Sequence, residues 1–294
     1  MRNTLLVALA LVVGCGGSSP SSDTDAAAQD GDAAPGDGAV GAVDASPGAP
    51  DAGATQTAGC GMSGGAPGLQ TKTLTVANVA RTYRVFVPTG YDSSTPTRLV
   101  FVFHGLGGDG NQIRAYFGFE AQAGGQALFV YPDGLVVQGG QTGWAASDLA
   151  FFDAMVTEIS AHYCVDPQRI FAAGHSFGGY MSNLVGCSRG TVVRAIAPVS
   201  GGLAGGACDH PVAAWIAHGD NDQTVNQSEG IAARDRWRME NGCATTSTAT
   251  DPTPCVTYDG CSAGHPVTWC SFSGGHYPLP AFIKPGIWNF LAQF

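Results

Sequence analysis

From residue 69 onward the chain alternates between two hydrophobic periods. Residues 73–76 and 82–87 alternate apolar and polar side chains with period two, as half-buried strands of a hairpin do. Residues 99–103 and 127–131 are continuous apolar runs, Leu-Val-Phe-Val-Phe and Ala-Leu-Phe-Val-Tyr, suited to strands covered on both faces. Residues 170–173, 194–199 and 212–217 read as further strands of this kind. Between them apolar residues recur at helical spacing, which predicts helices over 112–124, 149–163, 178–187, 228–241 and 282–293. Strands in alternation with helices imply an α/β domain with a mostly parallel central sheet and helices on both faces. No internal repeat is evident.

The first fifth of the chain follows a different pattern. Met1-Arg2-Asn3 and the apolar run 5–13 form a basic start and a short hydrophobic core, too short to cross a bilayer and typical of an export signal. The run ends in Val12-Val13-Gly14-Cys15, which resembles a bacterial lipobox, so residues 1–15 are expected to be a lipoprotein-type signal with Cys15 the lipidated residue. The competing reading is an ordinary signal peptide in which Cys15 is incidental. Residues 16–59 hold seven Asp, no Lys or Arg, and few large apolar side chains. Such a stretch cannot bury enough apolar surface to offset its ordering entropy, and is expected to be a disordered acidic linker reaching roughly 35 to 40 Å. Residues 60–294 are then the folded domain.

Charge and cysteine usage narrow the picture. The net charge is −10, of which the linker carries seven negative charges and Arg2 one positive, leaving about −4 on the folded domain. No basic cluster suggests nucleic acid, and contact with a membrane is expected only through the lipid. A monomer is expected. Apart from Cys15 there are eight cysteines: Cys60, Cys164, Cys187, Cys208, Cys243, Cys255, Cys261 and Cys270. Behind an export signal an even number favours disulfides, whose pairing is left open. No C-x-x-C or His-rich spacing points to a metal, and no cofactor is expected.

The chemistry concentrates where strands end. The strand 170–173 runs into Gly174-His175-Ser176-Phe177-Gly178, a G-x-S-x-G pattern followed by residues Tyr180, Met181, Leu184 and Val185 at helical spacing. This strand–turn–helix context would set Ser176 at the tip of a tight turn, with glycines where the backbones approach and a helix N-terminus beside it. A serine hydroxyl needs a base. His276, in Ser273-Gly274-Gly275-His276, is the candidate because imidazole titrates near working pH. The base needs a carboxylate to fix its tautomer, and Asp220 and Asp222, in His218-Gly219-Asp220-Asn221-Asp222, both qualify. Asp222 is preferred because its spacing from His218-Gly219 matches the acid loop of serine hydrolases in which the triad runs Ser, Asp, His. The oxyanion of a tetrahedral intermediate would meet the N–H of Phe177 and that of Leu106, in His104-Gly105-Leu106-Gly107. His104 and His218 read as loop-holding residues, His175 as the variable position of the elbow, and His162, His210 and His265 as surface residues. Tyr180 and Tyr277, each close in sequence to a proposed catalytic residue, are candidates for a substrate pocket.

Taken together, Tyr163-Cys164-Val165-Asp166, Gly174 through Ser182, Ala197-Pro198-Val199-Ser200-Gly201, His218 through Asp222, Asn241-Gly242-Cys243, and Trp269-Cys270 with Gly274-Gly275-His276 resemble the secreted feruloyl esterases and poly(3-hydroxybutyrate) depolymerase-like esterases. The resemblance runs from about residue 70 to 294. It implies an α/β-hydrolase fold and a serine carboxylesterase without cofactor, using Ser176, Asp222 and His276. Its implied substrate is an ester that is polysaccharide-linked or oligomeric. One departure is His276-Tyr277-Pro278, where relatives often carry a tryptophan near the proline. Hydroxycinnamoyl esters of cell wall polysaccharide are favoured over a polyester, because secreted polyester depolymerases resemble a catalytic domain joined to a substrate-binding domain and none is evident up to Phe294. Hydroxyalkanoate oligomers and acetylated xylan are the alternatives within the family. A peptidase, or an inactive surface binding protein on a hydrolase scaffold, are alternatives outside it.

Overall fold

The computed structural model describes residues 56–137 and 139–294. The expected signal segment with Cys15, and the expected linker as far as residue 55, lie outside the described residues. The chain is already held at Thr57, whose N–H donates to Val165 O (3.1 Å) and whose hydroxyl donates to Tyr163 O (2.9 Å). The Cys60–Cys164 disulfide fastens the same segment.

Strands β1 (Gly68–Val76) and β2 (Val79–Val87) form the expected hairpin. Ala77 and Asn78 turn it with positive φ at both positions, as a two-residue type I′ turn requires. Next come β3 (Thr97–Phe103), α1 (Gly110–Phe117), α2 (Phe119–Ala123), β4 (Ala127–Pro132), a small β5–β6 hairpin (Leu135–Val136 and Thr142–Gly143) and α3 (Leu149–His162). Strand β7 (Val165–His175), α4 (Phe177–Ser188), β8 (Ala195–Val199), β9 (Ala213–Gly219) and α5 (Gln227–Glu240) follow. The chain finishes with β10 (Ser247–Ala249), β11 (Cys255–Tyr258), β12 (Val267–Phe272) and α6 (Ile283–Ala292). The helix expected over 112–124 is two helices, because Gly118 adopts a left-handed φ of 61° and closes α1 by donating to Arg114 O. The break lets Phe117 and Phe119 both turn inward, their rings stacked 4.6 Å apart.

One ten-stranded sheet has the order β1-β2-β4-β3-β7-β8-β9-β12-β11-β10. Strands β4, β3, β7, β8, β9 and β12 are parallel, and an antiparallel pair flanks them at each side. The apolar run of β3 serves both faces. Leu99, Phe101 and Phe103 pack with Phe151, Phe152, Met155 and Ile159 of α3, with α4, and with Trp237 of α5. Val100 and Val102 point the other way, onto Ile113 and Phe117 of α1, Phe119 of α2 and Ile287 of α6. The helices therefore cover both faces, as the continuous runs predict.

All eight domain cysteines are paired, as Cys60–Cys164, Cys187–Cys208, Cys243–Cys261 and Cys255–Cys270. The last pair joins directly opposed residues of β11 and β12. Such a set of bridges suits an oxidising compartment. Among the described residues no helix is long and apolar enough to cross a membrane.

Candidate active site

The chain steps from β3 to β4 on one side, then crosses to β7 on the other side of β3. This reversal opens a crevice at the carboxyl ends of β3 and β7, the place where open parallel sheets bind ligands. Phe103 is in register with Gly174, so His104-Gly105-Leu106 leaves β3 beside Ser176 leaving β7. A Cβ built on Gly105 would lie 3.4 Å from Ser176 Cβ.

Ser176 occupies φ 58°, ψ −123° at the start of α4, a conformation that costs a non-glycine residue about 1 to 3 kcal/mol and needs surrounding structure to hold it. Its N–H donates to Val199 O (2.9 Å), and its carbonyl accepts from Gly179 and Tyr180. The neighbouring glycines answer to space, not to dihedral angle. A Cβ on Gly178 would run into the carbonyl of Phe103 and lie 2.8 Å from His104 O, and one on Gly174 would run into the carbonyl of Gly178. Among the described residues the amides of Phe177 and Leu106 have no acceptor. Phe177 is the first residue of α4, where a helix leaves its N–H groups unpaired, and Leu106 lies on the loop that leaves β3 beside it.

His276 follows β12 and is buried, with Nδ1 2.7 Å from Oδ2 of the buried Asp222. A carboxylate only accepts, so Nδ1 carries a proton, and in the neutral ring Nε2 is then the acceptor. The other Asp222 oxygen takes the N–H groups of Thr224 and Val225, both at 2.9 Å. Burial pushes the Asp222 carboxyl up, but the His276 ring N–H and the two amides outweigh it and hold it below the usual carboxylate range. Asp220 is exposed and has a different task, since its Oδ1 accepts the N–H of Gly274 (3.0 Å) on the loop that carries His276.

Two further histidines hold the loops. His104 Nδ1–H donates to Gly105 O (2.7 Å) and Nε2 accepts from Gly134 N–H (2.9 Å), while its own carbonyl takes the Trp144 indole N–H (2.8 Å). His218 Nε2–H donates to Val225 O (2.9 Å), closing the acid loop, with Asp222 Oδ2 3.5 Å away. Burial holds both imidazoles below their ordinary pKa.

A cavity of about 220 Å³ opens next to Leu106, walled by Gln112, Ile113 and Tyr116 of α1, by His175 and by Tyr277. Tyr277 is 59% exposed and Leu106 48%, so both stand at its mouth. Tyr180, expected with Tyr277 in one pocket, does not line it. Its ring packs near Phe177, 6.3 Å between centroids, and its phenol is pushed up to about 12 by burial and by Glu229. The reason is helical geometry: four residues after Ser176, Tyr180 is one turn along α4 and faces Gly202. The α1 wall was missed in the sequence, although Asp109 capping Gln112 N–H (2.8 Å) is a readable helix start just after the His104 loop. Among the described residues no group of three or more His, Cys, Asp or Glu is placed to hold a metal.

No protein-family model matches the chain. It is 32% identical to feruloyl esterase D of Neurospora crassa, over 83% of this chain and 92% of that protein. It is 36% identical to feruloyl esterase C of Emericella nidulans, over 68% and 77%. The chain belongs to the feruloyl esterase family. Among solved structures, an acetyl xylan esterase from Aspergillus awamori matches with a TM-score of 0.61 at 16% identity, over 76% of this chain and 99% of that one. A mutant feruloyl esterase module from Clostridium thermocellum, complexed with sinapinate, matches with 0.56 at 14%, over 78% and 88%. These likenesses show the fold, which is that of an α/β-hydrolase. Within a family of carboxylic ester hydrolases, the crevice at β3 and β7 is the natural place to look for ester chemistry.

Proposed function

We propose that the chain is a serine esterase of hydroxycinnamoyl esters, with the feruloyl esters of plant cell wall polysaccharide as its substrate class. The observation that carries this reading is the hydrogen-bonded His276–Asp222 pair beside the strained Ser176 turn, with an aromatic-walled cavity on the same crevice. Ser176 Oγ attacks the ester carbon while His276 Nε2 takes its proton, and Asp222 stabilises the imidazolium. The carbonyl oxygen becomes an oxyanion held by the N–H groups of Phe177 and Leu106. Collapse breaks the bond to the alcohol, which leaves with the proton from His276. Water then repeats the sequence on the acyl-enzyme and frees the acid and Ser176. The acyl ring lies against Tyr116, Tyr277 and Ile113, with Gln112 as a polar group at the same wall.

The test compares methyl ferulate, acetylated xylan and a 3-hydroxybutyrate oligomer, using the full chain made in an oxidising compartment and Ser176→Ala as blank. Ferulate release that the blank lacks supports the reading. Cleavage of the oligomer or of acetylxylan without ferulate release replaces the substrate class. Inactivity on all three, with no fluorophosphonate labelling of the folded protein, points to a binding scaffold. Cys15 is proposed as the lipid attachment site that tethers the enzyme at the cell envelope, and mass spectrometry of the mature N-terminus tests it. An unmodified terminus downstream of Cys15 would remove the anchor.

A further inference from the structure

His175, the residue before the nucleophile, is 1% exposed at the end of β7. Its Nε2 lies 3.2 Å from the backbone carbonyl of His276. A carbonyl only accepts, so the ring donates there. Its ring centroid is 4.7 Å from that of His276, 4.7 Å from that of Tyr277 and 5.4 Å from that of Tyr116. His175 is thus bonded through the backbone to Ser176 on one side and through a hydrogen bond to His276 on the other, and its ring also forms part of the cavity wall.

We propose that His175 is a positioning residue that ties the His276 loop to the nucleophile turn and so sets the distance between Ser176 and its base. This deepens the function proposed above and rests on Ser176 and His276 acting as nucleophile and base. Three features of the surroundings support it. The loop 273–278 is otherwise anchored near the base by Asp220 accepting Gly274 N–H, by Asn221 N–H donating to Gly274 O and by Asp222 accepting from the His276 ring, and all three anchors come from the acid loop. Only the His175 bond connects the base loop directly to the strand that carries Ser176, among the hydrogen bonds found in the described residues. The second feature is the donor. An apolar side chain here would leave the buried His276 carbonyl without a partner, and a buried carbonyl without one is rarely tolerated. The third is charge. The groups that face the ring are His276, Tyr277, Tyr116, Asp222 and His218, and burial together with His276 pushes its pKa down to about 3. Well above that pH the ring is neutral, so it holds its neighbour without placing a second positive charge beside the imidazolium that would form on His276.

The test uses His175→Leu, His175→Asn and His175→Gln on two esters, methyl ferulate, whose aromatic acyl group is the one proposed to occupy the cavity, and 4-nitrophenyl acetate, whose acetyl group is too small to reach its walls. Gln presents an N–H at about the reach of Nε2, whereas Asn is one methylene shorter and Leu has no donor. Because misplacement by about 1 Å can cost 10²-fold, Leu and Asn are expected to lower kcat by about that factor on both esters, and Gln to recover at least tenfold of it. Should Leu fail to fold, the Asn–Gln comparison decides alone. Equal losses for Gln and Asn, a loss confined to methyl ferulate, or near-normal kcat for Leu would each overturn the proposal, the second by making His175 a pocket wall only. Ser176→Ala and His276→Ala are run alongside. If they retain activity, the proposed catalytic roles fail first. If they are inactive while Leu is not, only the positioning role fails.

Discussion

The buried neutral imidazoles make the fold sensitive to acid, and His175 allows the size of the effect to be worked out. Its pKa is pushed from 6.5 down to about 3 in the folded chain, chiefly by burial. A group with a depressed folded pKa binds fewer protons when folded than when unfolded. Its contribution to stability is therefore complete above about pH 6.5 and is lost progressively as pH falls from there toward 3. At pH 5 the unfolded chain has gained this proton and the folded chain has not. The gap of about 1.5 pH units at 1.36 kcal/mol each costs about 2 kcal/mol relative to pH 7. For a domain of this size that corresponds to a fall in Tm of roughly 4 to 8 °C from this one residue. Burial depresses His104 and His218 in the same direction and steepens the decline. Asp222 adds its own loss only at lower pH, as the solution falls through its depressed carboxyl pKa. The assay is urea unfolding with the disulfides intact at pH 7, 6 and 5, on the wild type and on His175→Gln, which keeps a donor but cannot titrate. Near pH 5 the variant's stability should change with pH less steeply than that of the wild type, by about one proton, or about 1.4 kcal/mol per pH unit. Equal slopes would refute the assignment of a depressed, neutral imidazole at this position.

Asp222→Asn should lower turnover by about 10⁴, because the amide favours the wrong imidazole tautomer, whereas Asp220→Asn should stay within about tenfold since Asp220 holds only Gly274. Steady-state kinetics on methyl ferulate checks both, and a reversed ranking would move the acid role to Asp220. Gly178→Ala places a methyl against the backbone of Phe103 and His104 in the central strand, so it should cost at least about 1 to 3 kcal/mol and most of the activity. Thermal unfolding within 2 °C of wild type would show, on the scale of roughly 2 to 4 °C per kcal/mol, that this contact relaxes freely. Replacing Cys60 and Cys164 together by Ala opens a loop of 104 residues and should destabilise by about 5 kcal/mol on the loop-entropy account, read as a lower urea midpoint.

The parts of the site that were legible in the sequence are those fixed by local pattern. The elbow around Ser176 declares itself through five residues and the periods on either side, and the strands ending at Phe103, Gly219 and Phe272 deliver His104, Asp222 and His276 to the same end of the sheet. The two-sided burial of β3 was visible as an unbroken apolar run for the same reason. What stayed hidden depends on contacts between distant segments. Disulfide partners such as Cys255 and Cys270 are set by the register of β11 on β12, which no spacing encodes. The choice between Asp220 and Asp222 turns on which carboxylate faces inward, two residues apart on one loop. Tyr180 looked like a pocket residue because it is near Ser176 in sequence, but one helical turn carries it away from the cavity.

The cavity wall shows why specificity is harder to read than mechanism in this fold. The groups proposed to react sit at strand ends whose register the sheet dictates, so a short motif is enough to nominate them. The cavity proposed for the acyl group is assembled from α1 on one side of the crevice and the loop after β12 on the other, about 160 residues apart, as the α1 wall at Tyr116 and the mouth at Tyr277 make plain. Tyr116 and Tyr277 meet there edge to face, 5.8 Å between centroids. The break at Gly118 turns the chain just after α1, and Asp133 holds its first turn by accepting Gly110 N–H (2.8 Å). Substitutions at these supports should therefore alter which acyl groups are accepted before they alter how fast an accepted ester is cleaved. His175 is the exception, because it touches both the cavity and the base loop. If the proposed roles of the cavity and of His175 hold, the coupling between acyl choice and rate is concentrated in this one side chain.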